Sequence, residues 1–216
     1  MATSLWFEGG PKNALKTLLF GDKVCGMETL TFKTPKDFEK WLKAHHAKVP
    51  GVWVRFLKKA HKETSGEKSI NYAEALDVAL CYGWIDSQSS KLDEKSYVQK
   101  FTPRGPKSVW SKRNREHIAR LIKEKRMTPS GLLHVTAAKK DGRWAQAYNG
   151  LATMKIPADF LKELGKRKKA KAFFDTLNKA NLYAIGYRLQ TAKKPETRER
   201  RKAAILAQLE AGKKFH

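Results

Sequence analysis

The sequence predicts an α+β fold, in which a small antiparallel sheet with two helices is followed by a basic, all-helical half. Segments with the β-branched and aromatic pattern of strands occur before Trp110, and no segment after it has that pattern. Prolines that suit the first turn of a helix stand in this later half, at Pro129, Pro157 and Pro195. Charge divides the same way, since the first 108 residues carry 18 Lys and Arg against 12 Asp and Glu, and the last 108 carry 27 against 9.

At 216 residues the chain has the length of one large domain or two small ones. We expect residues 1–27 to form an N-terminal appendage, residues 28–107 an α+β unit, and residues 108–216 a basic helical unit that packs with the first. The boundary between the two units is expected near residues 105–108, where glycine and proline interrupt the pattern.

Local signals predict the elements of the α+β unit. Thr34 has the position of an N-cap before Pro35 at the start of the first helix. Residues 71–74 have the pattern of a capping box before the second helix, which is apolar almost all round and therefore buried, and Gly83 ends it. Residues 58–68 are predicted to be a polar loop. Strands are predicted over residues 30–33, 52–57, 84–87 and 96–102.

Apolar residues at helical spacing recur throughout the basic half. Ser108 or Ser111 is a suitable N-cap for its first helix, whose free backbone N–H groups are expected near Lys112 and Arg115. Such a helix end is a candidate seat for an anion. The candidate helices cover residues 111–125, 129–139, 142–148, 157–164, 170–180, 182–189 and 195–209.

The composition favours some classes of protein and disfavours others. The net charge of +24 attracts phosphate-rich partners such as nucleic acid or anionic lipid. Two cysteines provide neither a disulfide framework nor metal-ligand spacing, which favours a reducing, cytoplasmic location. We expect no metal and no cofactor, because the six histidines lack metal-binding spacing and no glycine-rich nucleotide signature occurs. No apolar run is long enough to span a membrane, and the oligomeric state stays open.

Arginine and tryptophan crowd into the segment from residue 80 to residue 115 and return near residue 143. A guanidinium stacks on an indole ring and forks onto a carboxylate or phosphate, so these segments predict a cleft for an anionic ligand or a protein partner. Pro103 and Pro106 stiffen the backbone on either side of Arg104, which suits it to binding. The predicted ligand-binding residues are Trp84, Asp86, Arg104, Trp110, Ser111, Lys112, Asn114, Arg115, Arg143, Trp144, Tyr148 and Arg188.

Three other interpretations of these residues stay open. In a structural alternative, Arg104 pairs with Asp86 or Asp93, Trp110 belongs to the core, and the basic residues form a solvated face. In an enzymatic alternative, Asp86 acts as a general base on a small acidic substrate; no Ser-His or Cys-His pair accompanies it, so a non-enzymatic role is preferred. In a nucleic-acid alternative, the basic half binds phosphates through Lys166, Arg167, Lys168, Lys169, Arg198, Arg201 and Lys202.

Taken together, the motifs resemble the YdeI/OmpD-associated family, often labelled bacteriocin-protection proteins. The resemblance covers roughly residues 30–214 and is carried by residues 41–42, 52–56 with 58–59, 72–76, 80–86, 101–104, 108–111 with 114–115, 142–144 with 147–148, 173–174, 184–188, and 197–198 with 201. Residues 1–27 have no counterpart, and Leu182 stands where the family is expected to have arginine. The resemblance implies a cytoplasmic protein linked to stress and to tolerance of cationic antimicrobial peptides. Because a chain of charge +24 repels cationic peptides, we expect protection to act through an anionic ligand, a partner or regulation.

Overall fold

The computed structural model describes residues 27–215, which divide into two units. The described part of the first unit contains residues 27–106 and Leu121–His134, and that of the second contains Lys107–Arg120 and residues 135–215. The chain therefore passes between the units three times. The predicted N-terminal appendage, apart from its last residue, lies outside the described residues.

The elements of the described chain follow in order. The first unit holds strands β1 (Thr29–Leu30), β2 (Val52–Leu57), β3 (Trp84–Lys91) and β4 (Ser96–Pro103), with helices α1 (Pro35–His45), α2 (Lys59–Ser65) and α3 (Tyr72–Cys81). Helices α4 (Lys112–Lys123) and α5 (Pro129–Lys140) contribute residues to both units. The second unit continues with α6 (Ala158–Gly165), α7 (Lys168–Phe174), α8 (Lys179–Gln190) and α9 (Pro195–Glu210). Among the described residues, no helix combines the length and the apolar character that a bilayer-spanning segment requires.

The strands of the first unit form one sheet in the order β1-β2-β4-β3. β4 pairs antiparallel with both β2 and β3, whereas β1 runs parallel to β2. The α+β class is confirmed, and the expected antiparallel pairing holds for every described strand except β1. This strand is parallel because α1 lies between β1 and β2 and returns the chain to the same end of the sheet.

Capping boxes begin two helices of the first unit, as predicted. The backbone N–H of Asp37 donates to Thr34 Oγ1 (3.2 Å), and the Thr34 N–H donates to Asp37 Oδ2 (2.9 Å). Asn71 and Glu74 exchange the equivalent pair at 3.0 and 2.9 Å. The helix that Asn71 begins, α3, buries six of its ten residues, which confirms the predicted buried helix. Gly83 follows it with φ 74°, a left-handed conformation that glycine adopts without strain.

The prediction of a polar loop over residues 58–68 is wrong, because α2 occupies Lys59–Ser65. None of the residues of α2 is buried. Its hydroxyls bond to carbonyls one turn back, with Ser65 Oγ donating to the His61 oxygen at 2.7 Å. A helix without an apolar stripe gives no periodic signal, so the sequence pattern indicated a loop.

The prediction of a helix over residues 142–148 is also wrong. The backbone N–H of Arg143 donates to Asp141 Oδ1 (3.1 Å), and that of Tyr148 donates to the Trp110 carbonyl (2.9 Å). Both amides thus bond outside a helical ladder, and residue 148 instead forms an isolated parallel bridge with Ser111. The short apolar spacing of this segment reflects packing of its tryptophan and tyrosine and not a helical period.

Helices α6–α9 enclose the apolar core of the second unit. The predicted helix over residues 170–180 is divided, because Asn178 Oδ1 accepts a hydrogen bond from the Asn181 N–H (3.0 Å) and caps the start of α8. The remaining predicted helices of this unit are confirmed to within a few residues. The buried core residues are Phe160, Leu164, Ala170, Leu177, Ile185, Leu189, Ile205, Leu206 and Leu209.

Candidate functional site

Three of the predicted ligand-binding residues lie in the first unit. Trp84 is 1% exposed, and its Nε1–H donates to the His46 carbonyl (3.1 Å). Arg104 is 3% exposed, and its backbone N–H donates to the Gly83 carbonyl (2.9 Å). Asp86 is half-buried, and its Oδ2 accepts a hydrogen bond from the Tyr72 hydroxyl (2.7 Å). Trp84 is therefore a core side chain, and the backbone of Arg104 is fastened to the turn before β3.

The other nine predicted ligand-binding residues lie in the second unit. Five of them form a tryptophan corner, which we define as Trp110, Ser111, Arg143, Trp144 and Tyr148. The two indole rings meet edge to face, with centroids 4.9 Å apart. Tyr148 fastens the chain beside them, since its N–H donates to the Trp110 carbonyl and its own carbonyl accepts from the Lys112 N–H, both at 2.9 Å. Trp110 is 2% exposed, as the structural alternative expects of a core residue.

Arg143 links the tryptophan corner to the chain before Trp110 through hydrogen bonds of its guanidinium. Its Nε donates to Asp141 Oδ2 (2.7 Å) and its Nη1 to the Ser108 carbonyl (3.0 Å), and the residue is 8% exposed. The pKa of the Asp141 carboxyl lies below its ordinary value, chiefly because the Arg143 backbone N–H donates to it, with a further contribution from the Arg143 guanidinium. These contacts give the Arg143 guanidinium a structural role.

Two cations flank the exposed part of Trp144. The Arg115 Cζ lies 5.3 Å and the Lys139 Nζ 5.7 Å from the centroid of this half-buried ring, both within the range of cation–π attraction. The predicted pairing of arginine with tryptophan therefore occurs here. Ser111 is the N-cap of α4, the helix that carries Arg115, because its Oγ accepts a hydrogen bond from the Asn114 N–H (3.0 Å). The sequence left the choice between Ser108 and Ser111 open.

A pocket of about 810 Å³ lies beside the first turn of α4. We call it the α4–α8 pocket, because its wall also includes Lys179, the first residue of α8, together with residues 149–153. Lys112, Arg113 and Lys179 bring three positive charges to it, and Glu116 brings the one negative charge among the residues that line it. The N-terminal ends of two helices add partial positive charge to the same space. Of the predicted ligand-binding residues, Lys112 lines this pocket.

A second opening of about 560 Å³ lies between α8 and α9, and we call it the Arg188 groove. Arg188 is exposed, and its Cζ lies 5.0 Å from the centroid of the Phe215 ring. Beside it, Tyr187 meets the ring of Tyr148 edge to face at 4.9 Å. The residues that line the groove are Val109, Tyr187, Arg188, Thr191, Arg201, Ala204, Ile205, Gln208 and Phe215.

Five of the seven predicted nucleic-acid-binding residues contact partners within the second unit. Arg198 forms a two-pronged pair with Asp159 (2.7 and 2.9 Å), which holds the pKa of that carboxyl below its ordinary value. The other contacts are Lys166 to Glu163 (3.1 Å), Arg167 to Glu210 (2.9 Å), Lys202 to Glu199 (2.6 Å), and Arg201 to the Arg188 carbonyl (2.8 Å). Lys168 and Lys169 are exposed at the start of α7.

Two family models match the chain. Residues 30–134 match a model described as a domain of unknown function, DUF8412. Residues 153–212 match the model described as Bacteriocin-protection, YdeI or OmpD-Associated. The second match confirms the suspected family resemblance over residues 153–212, a shorter stretch than the expected residues 30–214. No curated protein and no solved structure matches the chain.

The YdeI/OmpD-associated segment contains helices α6–α9. It therefore supplies every residue of the Arg188 groove except Val109 and Phe215, and it supplies Thr153 and Lys179 of the α4–α8 pocket. The ligand-binding residues predicted from sequence do not include Arg113 and Lys179, which line the pocket. The charge of Arg113 beside Lys112 is a signal in the sequence, whereas Lys179 is 67 residues from Lys112 along the chain and joins it only through folding.

Proposed function

We propose that this protein contributes to bacteriocin protection from the cytoplasm by binding an anionic, phosphate-like ligand in the α4–α8 pocket, without catalysing a reaction. The observation that carries the proposal is the excess of positive charge in one concave site. The pocket is lined by three cationic side chains, Lys112, Arg113 and Lys179, and by one carboxylate, that of Glu116. Clefts lined by one sign of charge concentrate ligands of the opposite sign.

The polarity of the two helices adds to this preference. α4 and α8 each begin at the pocket wall, with Lys112 and Lys179 as their first residues. Each helix places about half a positive charge at its start, while the N–H groups of Lys112, Asn114 and Asn181 bond within the protein. A phosphate-like group is attracted by both helix ends, and its oxygens accept several charge-assisted hydrogen bonds at once from the cationic side chains of the pocket.

The overall charge indicates how such binding relates to protection. A chain of net charge +24 repels a cationic peptide, so it does not capture one directly by charge. An anionic ligand or an anionic partner removes this conflict. The α4–α8 pocket therefore fits a protective role that passes through that ligand and not through the toxic peptide.

Calorimetric titration with inorganic pyrophosphate at constant ionic strength tests the proposal. The double variant Lys112→Ala/Lys179→Ala is expected to weaken binding by about tenfold or more, because charge-assisted hydrogen bonds are lost. The matched control is Lys168→Ala/Lys169→Ala, which removes the same charge from exposed positions that do not line the pocket. We expect the control to bind within about twofold of the unaltered chain.

Equal weakening in both variants would contradict the pocket, because it would show that overall charge alone holds the anion. A larger loss in the control would favour the nucleic-acid alternative, in which Lys168 and Lys169 contact phosphates. Absence of pyrophosphate binding by the unaltered chain would also overturn the proposal.

A further inference from the structure

We propose that the Arg188 groove is a second binding site, with its own chemistry, and that it takes an apolar chain or ring bearing a single carboxylate. The groove measures about 560 Å³, which falls within the ~300–1,000 Å³ typical of small-molecule sites. It shares no lining residue with the α4–α8 pocket.

The walls of the groove are largely apolar. Val109, Ala204 and Ile205 are aliphatic, and the rings of Tyr187 and Phe215 add aromatic surface. Burial of such surface favours a ligand with an apolar body, at roughly 25 cal/mol for each Å² removed from water. A small hydrophilic anion would leave these walls uncovered.

The charged groups of the groove are all cations. Arg188 and Arg201 line it, the polar neutral residues are Thr191 and Gln208, and none of the nine lining residues is acidic. This differs from the tryptophan corner, where Asp141 lies two residues from Arg143 and accepts a hydrogen bond from its guanidinium. The groove therefore favours an anionic group on the ligand.

Hydrogen bonds hold the Arg201 guanidinium in place before a ligand arrives, and the Arg188 guanidinium rests on an aromatic ring. Arg201 Nη1 donates to the Arg188 carbonyl (2.8 Å) and to Thr191 Oγ1 (3.1 Å). Arg188 lies over the Phe215 ring, and the Phe215 backbone N–H donates to Asn181 Oδ1 (2.7 Å), which fastens the backbone that carries this ring. A preset guanidinium loses little conformational entropy on binding, and its planar fork matches a carboxylate.

The apolar walls favour a carboxylate over a phosphate. A carboxylate carries one charge, whereas a phosphate monoester carries close to two at neutral pH and costs more to remove from water. A free aryl or alkyl acid and the last residue of a peptide share this chemistry. The experiment has one arm for each source.

NMR titration of the full chain with 4-phenylbutyrate, compared with the neutral analogue 4-phenylbutan-1-ol, tests the groove. We expect the acid to shift the backbone signals of α8 and α9, and the alcohol to bind about tenfold more weakly or worse. N-acetyl-Ala-Phe with a free carboxyl terminus, against its amide, forms the peptide arm. Tighter binding of the peptide acid than of phenylbutyrate would identify a peptide carboxyl terminus as the source of the carboxylate. Tighter binding of phenylbutyrate would identify a free acid.

Arg188→Gln is expected to weaken the acid by about tenfold, because it removes a charge-assisted bond from an exposed side chain. Lys193→Gln is the charge-matched control on the loop after α8, and it should leave affinity unchanged. Arg201→Gln gives a second test, and its folding is checked by the amide spectrum because Arg201 also bonds to the protein. The variant Lys112→Ala/Lys179→Ala should retain acid binding, which separates this site from the α4–α8 pocket.

Three results would overturn the inference. The first is equal affinity for the acid and the alcohol, which would mean that the cations take no part. The second is unchanged affinity in both Arg188→Gln and a folded Arg201→Gln. The third is the absence of any shift along α8 and α9 with either acid at about 10 mM, which is tenfold above a dissociation constant of about 1 mM.

Discussion

The tryptophan corner and the Arg188 groove lie in the same unit and are built from the same residue types, arginine beside aromatic rings. In the corner, Arg143 is 8% exposed and its guanidinium donates to Asp141 and to the Ser108 carbonyl. In the groove, Arg188 is exposed above the Phe215 ring, and no acidic residue lines the wall. The sequence predicts ligand binding by both arginines.

The difference between the two regions lies in the acceptors that the protein itself supplies. A guanidinium has five N–H donors. When acceptors of the protein lie within hydrogen-bond distance, the guanidinium bonds to them and stabilises the fold. An exposed arginine over an aromatic ring gains cation–π attraction, but the ring face does not take the place of a carboxylate as acceptor for its N–H donors. Proximity of arginine to aromatic residues in sequence is therefore common to structural and binding roles.

The largest expected effect concerns Trp110, which is 2% exposed. We expect Trp110→Ala to lower the free energy of unfolding by about 3–5 kcal/mol, because it removes a buried ring and leaves a cavity. Urea denaturation followed by far-UV circular dichroism measures this. Trp144→Ala is the comparison, since this ring is half-buried and should cost less. A loss below about 1 kcal/mol for Trp110→Ala would contradict the structural role of the tryptophan corner, and with it the contrast to the Arg188 groove.

The next effect separates the two arginines directly. Arg143→Ala is expected to cost about 1.5–3 kcal/mol, because it removes hydrogen bonds made by a buried charged group. Arg188→Ala should stay within about 0.5 kcal/mol, as is usual for exposed positions. The same urea experiment compares them, and Arg143→Lys shows whether charge alone replaces the fork. Equal losses of unfolding free energy at both positions would contradict the distinction between a structural Arg143 and an Arg188 that is available to a ligand.

Much of the fold is predictable because its signals are local. The capping box at Asn71, the all-round apolar surface of α3 and the β-rich run of β2 each lie within about ten residues, and each is confirmed. α2 is missed for the opposite reason, since it buries none of its side chains and its sequence carries no periodic signal.

The candidate sites are only partly predictable, because their members meet through packing. Lys112 and Arg188 are identified from sequence, whereas Lys179 joins Lys112 only when α8 begins beside α4. The Nε1–H of Trp84 and the Nη1 of Arg143 each donate to the backbone carbonyl of a residue that is far away in sequence. No pattern of residue types reveals such acceptors, and this limits sequence reading to naming candidate residues.

A smaller effect tests how the corner begins α4. Ser111→Ala is expected to cost about 1 kcal/mol, since it removes the side-chain acceptor for the Asn114 N–H. Ser108→Ala is the matched control, because the contact of Ser108 with Arg143 uses its backbone carbonyl, which alanine retains. Thermal unfolding of the two variants side by side gives the difference. A cost at Ser108 equal to that at Ser111 would contradict the assignment of the cap.

The smallest effect concerns the ionisation of Asp141, whose pKa lies below its ordinary value. The Arg143 backbone N–H is the main cause and survives in Arg143→Ala, whereas the guanidinium contribution is lost. The pKa should therefore rise only part of the way toward about 3.9 in this variant. Carboxyl-carbon NMR titration measures it, and Asp159, whose pKa is lowered mainly by Arg198, serves as an internal control in the same spectra.

The sign of the accompanying pH dependence follows from this shift. A carboxyl whose pKa is lowered by folding stabilises the folded state above its unfolded pKa, and that stabilisation is lost as the pH falls through the folded pKa. Acidification below about pH 4 should thus destabilise the unaltered chain more steeply than Arg143→Ala. If the Asp141 titration is unchanged in Arg143→Ala, the guanidinium does not act on this carboxyl. The contrast with Arg188 would then rest on the burial of Arg143 and its hydrogen bond to the Ser108 carbonyl.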